Sequence, residues 1–442
     1  MSTLLDRSNY NMKSQIIRLF ILSIAVLFTG LSYAERLLVH KDEQKAMDAL
    51  MKKLGVDERN ITVGKRSYEI NRYSDYFKAG TRYYHKGEGE LGFSVITDEL
   101  GHVAFLAIRS ADIDDISGIL SFKNLVYFDL SASGVSSLKG IENLKRLARL
   151  EITGNDKLTD LNGIRNLPVL REVDATTLKN IEVSGMTNLP KLEDFICDFC
   201  LVDNISVFSK MRSLRVLRTK IKQKNIDPLS ALKKLEVLAI GGENLEDISI
   251  VRTLPKLKHL EVLDSSVENL HLDNSTPDLE FLYLLNSPIY ELPDISQLKK
   301  LKKLMITGTN IKNVNSVHSL PELKYFSIAR CKNLKRIYNL HDLPELEELK
   351  AYNGGVDEIE TGYLPSLKEL TLSKINITKM PNFENFPKLR KLKIEGSNNI
   401  KSLSGIEKSN SLLWVHADYE VRSDPENAKL IRGLIKNRIK FD

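Results

Sequence analysis

Residues 301–311 read Leu301-Lys-Lys-Leu304-Met-Ile306, then Thr-Gly-Thr-Asn, then Ile311. Apolar residues occupy the first, fourth, sixth and eleventh positions of this stretch. The same spacing recurs along most of the chain, at intervals of 21 to 23 residues. Such a period is typical of stacked repeat units. The fifteen first positions are Val103, Leu125, Leu147, Leu170, Leu192, Leu214, Leu235, Leu257, Leu279, Leu301, Leu323, Leu346, Leu367, Leu389 and Leu412.

The positions within one repeat predict its structure. Side chains alternate between the two faces of a strand, so positions four and six share one face and positions three, five and seven share the other. One repeat is too short to bury its apolar residues alone, but stacked neighbours bury them together. We therefore predict an α/β solenoid of about 15 repeats, in which positions three, five, seven and eight face solvent.

Two segments resemble a known family closely. Residues 138–147 (Leu-Lys-Gly-Ile-Glu-Asn-Leu-Lys-Arg-Leu) and 161–170 (Leu-Asn-Gly-Ile-Arg-Asn-Leu-Pro-Val-Leu) are similar to the 22-residue leucine-rich repeats of bacterial internalin-like and SDS22-like proteins. The resemblance covers about 320 of the 442 residues. It implies a curved right-handed array, with a parallel concave β-sheet, short helical or 3-10 convex turns and a role in protein recognition. The asparagine that usually follows the strand is present at Asn155, but Ser133 and Cys331 replace it elsewhere.

The N-terminal residues have the pattern of a secretory signal. Arg7, Lys13 and Arg18 precede an apolar run over 19–31, and Ala34 ends a small-residue cleavage site. This run is shorter than the roughly 20 residues that span a bilayer. We therefore predict a signal peptide at 1–34, export to the periplasm or the extracellular space, and no stable membrane insertion after cleavage. A retained anchor is the alternative.

The two ends of the repeat array have separate patterns. Residues 35–100 predict an N-terminal α+β capping region, with a helix over 41–54 followed by two strands. The repeat domain is expected over 101–422. Residues 423–442 predict a C-terminal capping helix that runs to about Lys440, with Leu430, Ile431, Leu434 and Ile435 as its apolar stripe. A binding function of residues 35–100 and a membrane-surface role of the last helix remain as alternatives.

The composition argues against several classes of function. Lysine and arginine total 64 against 58 acids, an excess too small and too dispersed to indicate nucleic-acid binding. The sequence contains no phosphate-binding loop, no nucleophile elbow and no histidine spacing for a metal, so we expect no enzyme activity, cofactor or metal. Cys197 and Cys200 occupy inward positions six and nine, which predicts buried structural cysteines; a disulfide between them is left open.

Two groups of candidate binding residues follow from the register. The first is acidic, with a ladder expected on neighbouring strands at Asp129, Glu151, Asp174 and Asp194. Like charges at this spacing cost stability unless a cation or a basic partner meets them. A plain solvated face is the alternative.

The second group is aromatic. It occupies positions that face solvent rather than the core, as anchors of recognition surfaces do. Its members are Phe281, Tyr283, Tyr325, Tyr352, Trp414 and Tyr419. Scattered exposed aromatics without a function are the alternative.

These observations predict a non-enzymatic, monomeric scaffold that binds a protein partner of unknown identity through its concave face. Interaction with a host is one setting for such a protein. A glycan or cell-envelope binder is the alternative function, because stacked tyrosines also suit sugar rings.

Overall fold

The structure is a computed structural model that describes most of the chain from residue 39 onward. The predicted signal peptide lies outside the described residues. These residues fall into two compact units, which divide between Lys191 and Leu192 and are treated separately below. The described residues are 39–56, 92–98, 100–397, 399–400, 402–436 and 439–441.

The first unit begins with the predicted helix. Helix α1 spans Lys41–Leu54 and ends at Gly55, whose φ of 64° lets its N–H donate to the carbonyl of Lys52. Five short strands and one two-residue strand follow. They are β1 (Gly92–Thr97), β2 (Val103–Arg109), β3 (Tyr127–Asp129), β4 (Arg149–Glu151), β5 (Glu172–Asp174) and β6 (Asn180–Ile181).

Strands β2 to β5 form a parallel sheet in sequence order, and β1 pairs antiparallel with β2 at its edge. A buried carboxylate fastens α1 to this edge. Glu43 Oε2 accepts a 2.7 Å hydrogen bond from the N–H of Val103, and the N–H of His40 donates to the carbonyl of Gly101. The α+β arrangement predicted for the start of the array is therefore present.

The second unit is a longer array of parallel strands. Strands β7 to β13 pair in sequence order, β13 then pairs with β15, and the series continues through β17, β18, β19 and β20. The strands are β7 (Asp194–Val202), β8 (Val216–Ile221), β9 (Val237–Gly242), β10 (His259–Ser265), β11 (Phe281–Leu285), β12 (Lys303–Thr307), β13 (Tyr325–Ala329), β14 (Arg336–Leu340), β15 (Glu348–Tyr352), β16 (Glu358–Thr361), β17 (Glu369–Ser373), β18 (Lys391–Glu395), β19 (Trp414–Ala417) and β20 (Lys440–Phe441).

The core consists of the residues that the repeat placed inward. Leu304 and Ile306 are fully buried, and so are Leu282 and Leu284 on the preceding strand. Short 3-10 turns, such as Asp227–Ala231, form return limbs between the strands. The predicted strand register is therefore confirmed. The sequence did not predict β14 and β16, which pair with each other on two return limbs.

The end of the chain differs from the prediction. Helices α2 (Tyr419–Ser423) and α3 (Pro425–Lys436) are followed by β20, so the helix stops before Lys440. The cause is pairing with the last repeat: the N–H of Lys440 donates to the carbonyl of Leu413, while Ile439 is buried. The apolar stripe is also narrower than predicted, because Ile435 is 52% exposed.

One polar side chain lies in the core of the first unit. Asn155 is fully buried, and its Oδ1 accepts hydrogen bonds from the N–H groups of Ser133 and Val135. Its Nδ2 donates to the carbonyls of Leu130 and Ile152, both at 2.9 Å. Asn155 therefore satisfies backbone groups of two neighbouring repeats, which no apolar residue could do.

We predict that Asn155→Ala lowers the free energy of unfolding by about 2–4 kcal/mol, because it leaves buried N–H and C=O groups without partners. Asn143→Ala is the matched control, since Asn143 is exposed in the preceding 3-10 turn of the same unit. Urea denaturation of both variants measures the difference. Equal stability of the two variants would show that the buried amide has no such role.

Candidate functional site

Positions three, five and seven of each strand project away from the buried positions four and six. We call the surface that they form on β8 to β19 the open sheet face. Neighbouring strands are in register, so residues at the same position form rows across the strands. Adjacent members of a row are about 4.8 Å apart.

The acidic ladder is present in the first unit as a row, but it is not exposed as predicted. Asp129, Glu151 and Asp174 lie side by side, in register, on the neighbouring strands β3, β4 and β5. Asp129 is fully buried, because the guanidinium of Arg109 covers it and donates to its Oδ2. The prediction that Asp129 faces solvent is therefore wrong: position five lies at the centre of the sheet, where long neighbouring side chains fold over it.

Arg149 neutralises a second carboxylate of this row, Glu151. Its guanidinium pairs with Glu151 and with Glu172, and it lies 5.2 Å from the centre of the Tyr127 ring. Tyr127 in turn stacks on Phe105 at 4.5 Å. The chain itself thus supplies cations for two carboxylates of the ladder, Asp129 and Glu151. The remaining predicted acid, Asp194, is the first residue of β7 in the second unit.

A buried ion network lies at the start of the second unit. Arg218 donates to Asp198 at 3.2 Å and, across β9, to Glu261 at 3.2 Å. Ala239 stands between Arg218 and Glu261 in the row, and its small side chain leaves room for this contact. His259 Nε2 lies 2.7 Å from Glu261 Oε1. Asp198, Arg218 and Glu261 are each less than a tenth exposed.

The network controls the ionisation of Glu261. Burial by itself raises the pKa of Glu261, but the hydrogen bond from His259 and the charge of Arg218 outweigh it and hold the pKa at about 2. Glu261 is therefore ionised throughout the physiological range. Its carboxylate and Arg218 satisfy each other inside the sheet face, which makes them structural groups.

The predicted aromatics on β11 and β13 are linked by a lysine. His259 stacks on Phe281 with ring centres 4.0 Å apart. The Lys303 ammonium lies 5.4 Å from the centre of the Phe281 ring and 4.9 Å from that of Tyr325. All four side chains occupy position three of successive strands. We call this row, from His259 to Tyr325, the cation–aromatic row.

Lys350 adds a second cation to Tyr325, with its ammonium 5.2 Å from the ring centre. Unlike Lys303, it forms ion pairs, at 2.8 Å to Glu348 and 3.4 Å to Glu369. Tyr352 is the last residue of β15, the strand that contains Lys350. Its neighbours in register on β13 and β17 are the small residues Ala329 and Ser373. The Tyr325 and Tyr352 rings are thus held on neighbouring strands with their surfaces partly open.

The other predicted aromatics are distributed unevenly. Tyr283 lies two residues after Phe281 along β11, and burial raises the pKa of its hydroxyl group. Trp414 stacks on His416 on β19, four strands from Tyr325 in the sheet. Tyr419 does not belong to a strand at all: it begins helix α2 and is 72% exposed. The predicted set therefore separates into one cluster on β11 to β15 and two outlying residues.

The cysteines are buried as predicted. Cys197 and Cys200 form a disulfide with each other, which resolves the pairing that the sequence left open. Burial raises the pKa of the Cys331 thiol, so this third cysteine is a poor nucleophile at neutral pH. These contacts are those of structural cysteines.

A cleft of about 590 Å³ lies on the return limbs of the second unit, away from the open sheet face. The polar groups that line this cleft are hydrogen-bonded to one another. The Lys299 ammonium donates to the carbonyl of Ser319, and His341 Nδ1 lies 2.9 Å from Asp342 Oδ2. This pairing leaves few groups in the cleft that could select a ligand.

Comparison with known proteins agrees with this architecture. A family model described as leucine-rich repeats (2 copies) matches residues 365–408. The array is a leucine-rich-repeat solenoid. No curated protein matches the sequence.

Two solved leucine-rich-repeat structures from Listeria monocytogenes are similar to it. The internalin InlF has 18% identity and a TM-score of 0.53, over 72% of this chain and 90% of its own. The functional domain of InlJ has 19% identity and a TM-score of 0.52, over 72% of this chain and 74% of its own. At these identities the likeness concerns the fold.

Two features are absent from the part of the chain that the structure describes. Within these residues, no group of three or more histidine, cysteine or acidic side chains could hold a metal ion. No helix in the same part of the chain is long and apolar enough to cross a membrane.

We predict that Arg218→Met lowers the free energy of unfolding by about 3–5 kcal/mol, because Asp198 and Glu261 stay buried without their cation. Arg215→Met is the control: Arg215 is half exposed and pairs with Glu236 at 2.8 Å, so its loss should cost at most about 1 kcal/mol. Denaturant titration at neutral pH compares them. A loss at Arg218 no larger than that at Arg215 would contradict the structural role of the network.

We also predict a stability change in acid that depends on Glu261. Its folded pKa of about 2 lies below the ordinary 4.5, so its contribution is complete above about pH 4.5 and is lost as the pH falls towards 2. The stability difference between wild type and Glu261→Gln should therefore shrink over this range. Glu246→Gln, at an exposed ion pair with Lys224, serves as control. A difference that stays constant between pH 5 and pH 2.5 would refute the assignment.

Proposed function

We propose that this protein is a non-enzymatic, exported binding scaffold that recognises a protein partner through the open sheet face of its second unit. The observation that carries the proposal is the aromatic cluster on β11 to β15. Phe281, Tyr283, Tyr325 and Tyr352 occupy positions that the fold does not need for its core, and each is only partly buried.

Rigidity supports this role. The backbone of each strand is hydrogen-bonded to both neighbours, so the rings stand at fixed separations before any partner arrives. Tyrosine adds a large contact area with few rotatable bonds and also a hydroxyl group. Binding on such a surface loses little conformational entropy.

The acidic row is a weaker candidate than the aromatic cluster. Arg109 and Arg149 already pair with two of its carboxylates, so a basic partner would have to displace these guanidinium groups. Within the second unit, Arg218 and Glu261 are likewise paired and buried. The aromatic rings carry no charge that the protein itself must neutralise. We therefore assign recognition to the rings and charge balance to these ion pairs.

Export is the second part of the proposal, and it is supported by the charged, apolar and small-residue pattern of residues 1–34. An exported scaffold meets its partner in the cell envelope or outside the cell. The proposed capping regions at both ends of the array keep its apolar core from water in that setting.

We predict that the combined variant Tyr283→Ala, Tyr325→Ala and Tyr352→Ala loses at least about 100-fold in affinity for a protein partner, because each ring is an expected hot spot. The partner is captured from cell-envelope extracts and host lysates, and its Kd is then measured by calorimetry. Circular dichroism and the thermal midpoint should stay near those of the wild type.

The matched control is Tyr290→Ala, Tyr338→Ala and Tyr363→Ala. These three tyrosines are exposed in the same unit, but they lie outside the open sheet face. The control should bind like the wild type. Loss of binding in the control alone, or binding of glycans rather than any protein on an array, would overturn the proposal.

A further inference from the structure

Lys303 differs from the lysines around it on the sequence. Lys300 and Lys302 pair with Asp278 at 2.6 Å and with Glu280 at 2.8 Å. Within the described residues, no carboxylate pairs with Lys303. Its ammonium is held instead by the Phe281 and Tyr325 rings, at 5.4 and 4.9 Å from their centres. It is a positive charge fixed in place without a counter-ion.

Three other lysines on the open sheet face are neutralised by carboxylates. Lys220 pairs with Asp264 at 2.8 Å, Lys350 pairs with two glutamates, and Lys393 pairs with Glu395 at 2.9 Å. Arg330, directly after β13, has no carboxylate partner among the described residues, but its guanidinium donates to Asn286 Oδ1. Lys391 also lacks an ion pair among the described residues, but no ring contact there holds its ammonium. Among the described residues, Lys303 thus combines a charge that has no carboxylate partner with an ammonium held between two aromatic rings.

This arrangement favours an anionic ligand group. An ammonium carries three N–H donors, and no described protein atom accepts from that of Lys303. The two rings attract the cation and displace part of its water, but they do not remove its charge. A carboxylate that approaches from solvent would gain a charge-assisted hydrogen bond without breaking an existing ion pair.

Met305, two residues after Lys303 on β12, adds an apolar surface to which a ligand would have to be complementary. Met305 projects from the same face two residues further along β12, about 6.6–6.8 Å away. It stands in register with Tyr283, and both are partly exposed. Leu285 and Leu263 extend the apolar surface at position seven. An extended segment of a partner has the same two-residue spacing between side chains on one face.

We propose that Lys303 and Met305 form a subsite for an acidic side chain and, two residues from it, an apolar side chain in an extended segment of a protein partner. Lys303 binds the carboxylate, and Met305 with Tyr283 and Leu285 covers the apolar group. This subsite deepens the proposed function and rests on it. The selected class of partner is thus an acidic, partly apolar peptide rather than a basic one.

The test uses a phage-displayed library of random dodecapeptides, selected on the full chain. Selected peptides should be enriched in Asp or Glu two residues from an apolar residue. Their affinities are measured by fluorescence anisotropy for the wild type and for three variants. Lys303→Gln should lose about tenfold or more, Lys303→Arg should keep most of the affinity because it keeps the charge, and Lys302→Gln should match the wild type.

A double-mutant cycle assigns the contact. The peptide is also made with its acidic residue replaced by the corresponding amide. If that carboxylate meets Lys303, the amide peptide and Lys303→Gln together should lose little more than either change alone. The affinity for the acidic peptide should also fall as salt is raised.

Several outcomes separate this subsite from the broader proposal. Peptides that lose affinity for the triple tyrosine variant but bind Lys303→Gln as well as the wild type would refute the subsite and leave the proposed function intact. Peptides insensitive to both variants, or selections that yield no binding peptide, would refute both. Basic peptides among the selected sequences, or glycan binding that depends on the tyrosines, would also refute the subsite.

Discussion

The inward leucines of each repeat are buried because neighbouring repeats stack against them. Leu282, Leu304 and Phe326 occupy position four of three successive strands, and none is exposed. Because one repeat cannot exclude water from such residues by itself, the inward positions are constrained along the array. The open sheet face is released from this constraint, since its side chains are not needed for the core. The same pleat thus separates the positions needed for folding from the positions that we propose for recognition.

Not every residue of the strand faces is free in this sense. Position five lies in the middle of each strand, where long side chains of neighbouring repeats cover it in some repeats. Asp129 and Glu261 are buried there, and each is matched by an arginine from another strand. Breaking such a pair leaves a buried charge, so these ions are retained as a unit. The rings of Phe281 and Tyr325 carry no charge that must be neutralised, which favours them as the recognition residues that we propose.

The sequence was sufficient for the fold because the signal is repeated fifteen times at nearly constant spacing. It predicted the α1 helix, the inward leucines and the row that unites Asp129, Glu151 and Asp174. It could not predict that Arg109 folds over Asp129, since this depends on side-chain reach between strands. The stop of α3 before Lys440 also depended on a distant partner, the carbonyl of Leu413. The sequence also left open whether Cys197 and Cys200 form a disulfide, since this depends on how closely the two side chains approach each other.

The central claim is that folding and recognition use different positions of the repeat. A substitution scan of residues 257–417, with separate measurements of folded protein and of partner capture, tests it most directly. The account predicts that changes at positions four and six reduce both measurements. Changes at the partly exposed rings of β11 to β15, which are Phe281, Tyr283, Tyr325 and Tyr352, should reduce capture alone. Capture-specific losses that cluster on the return limbs, around Tyr338 and Tyr363, would contradict it.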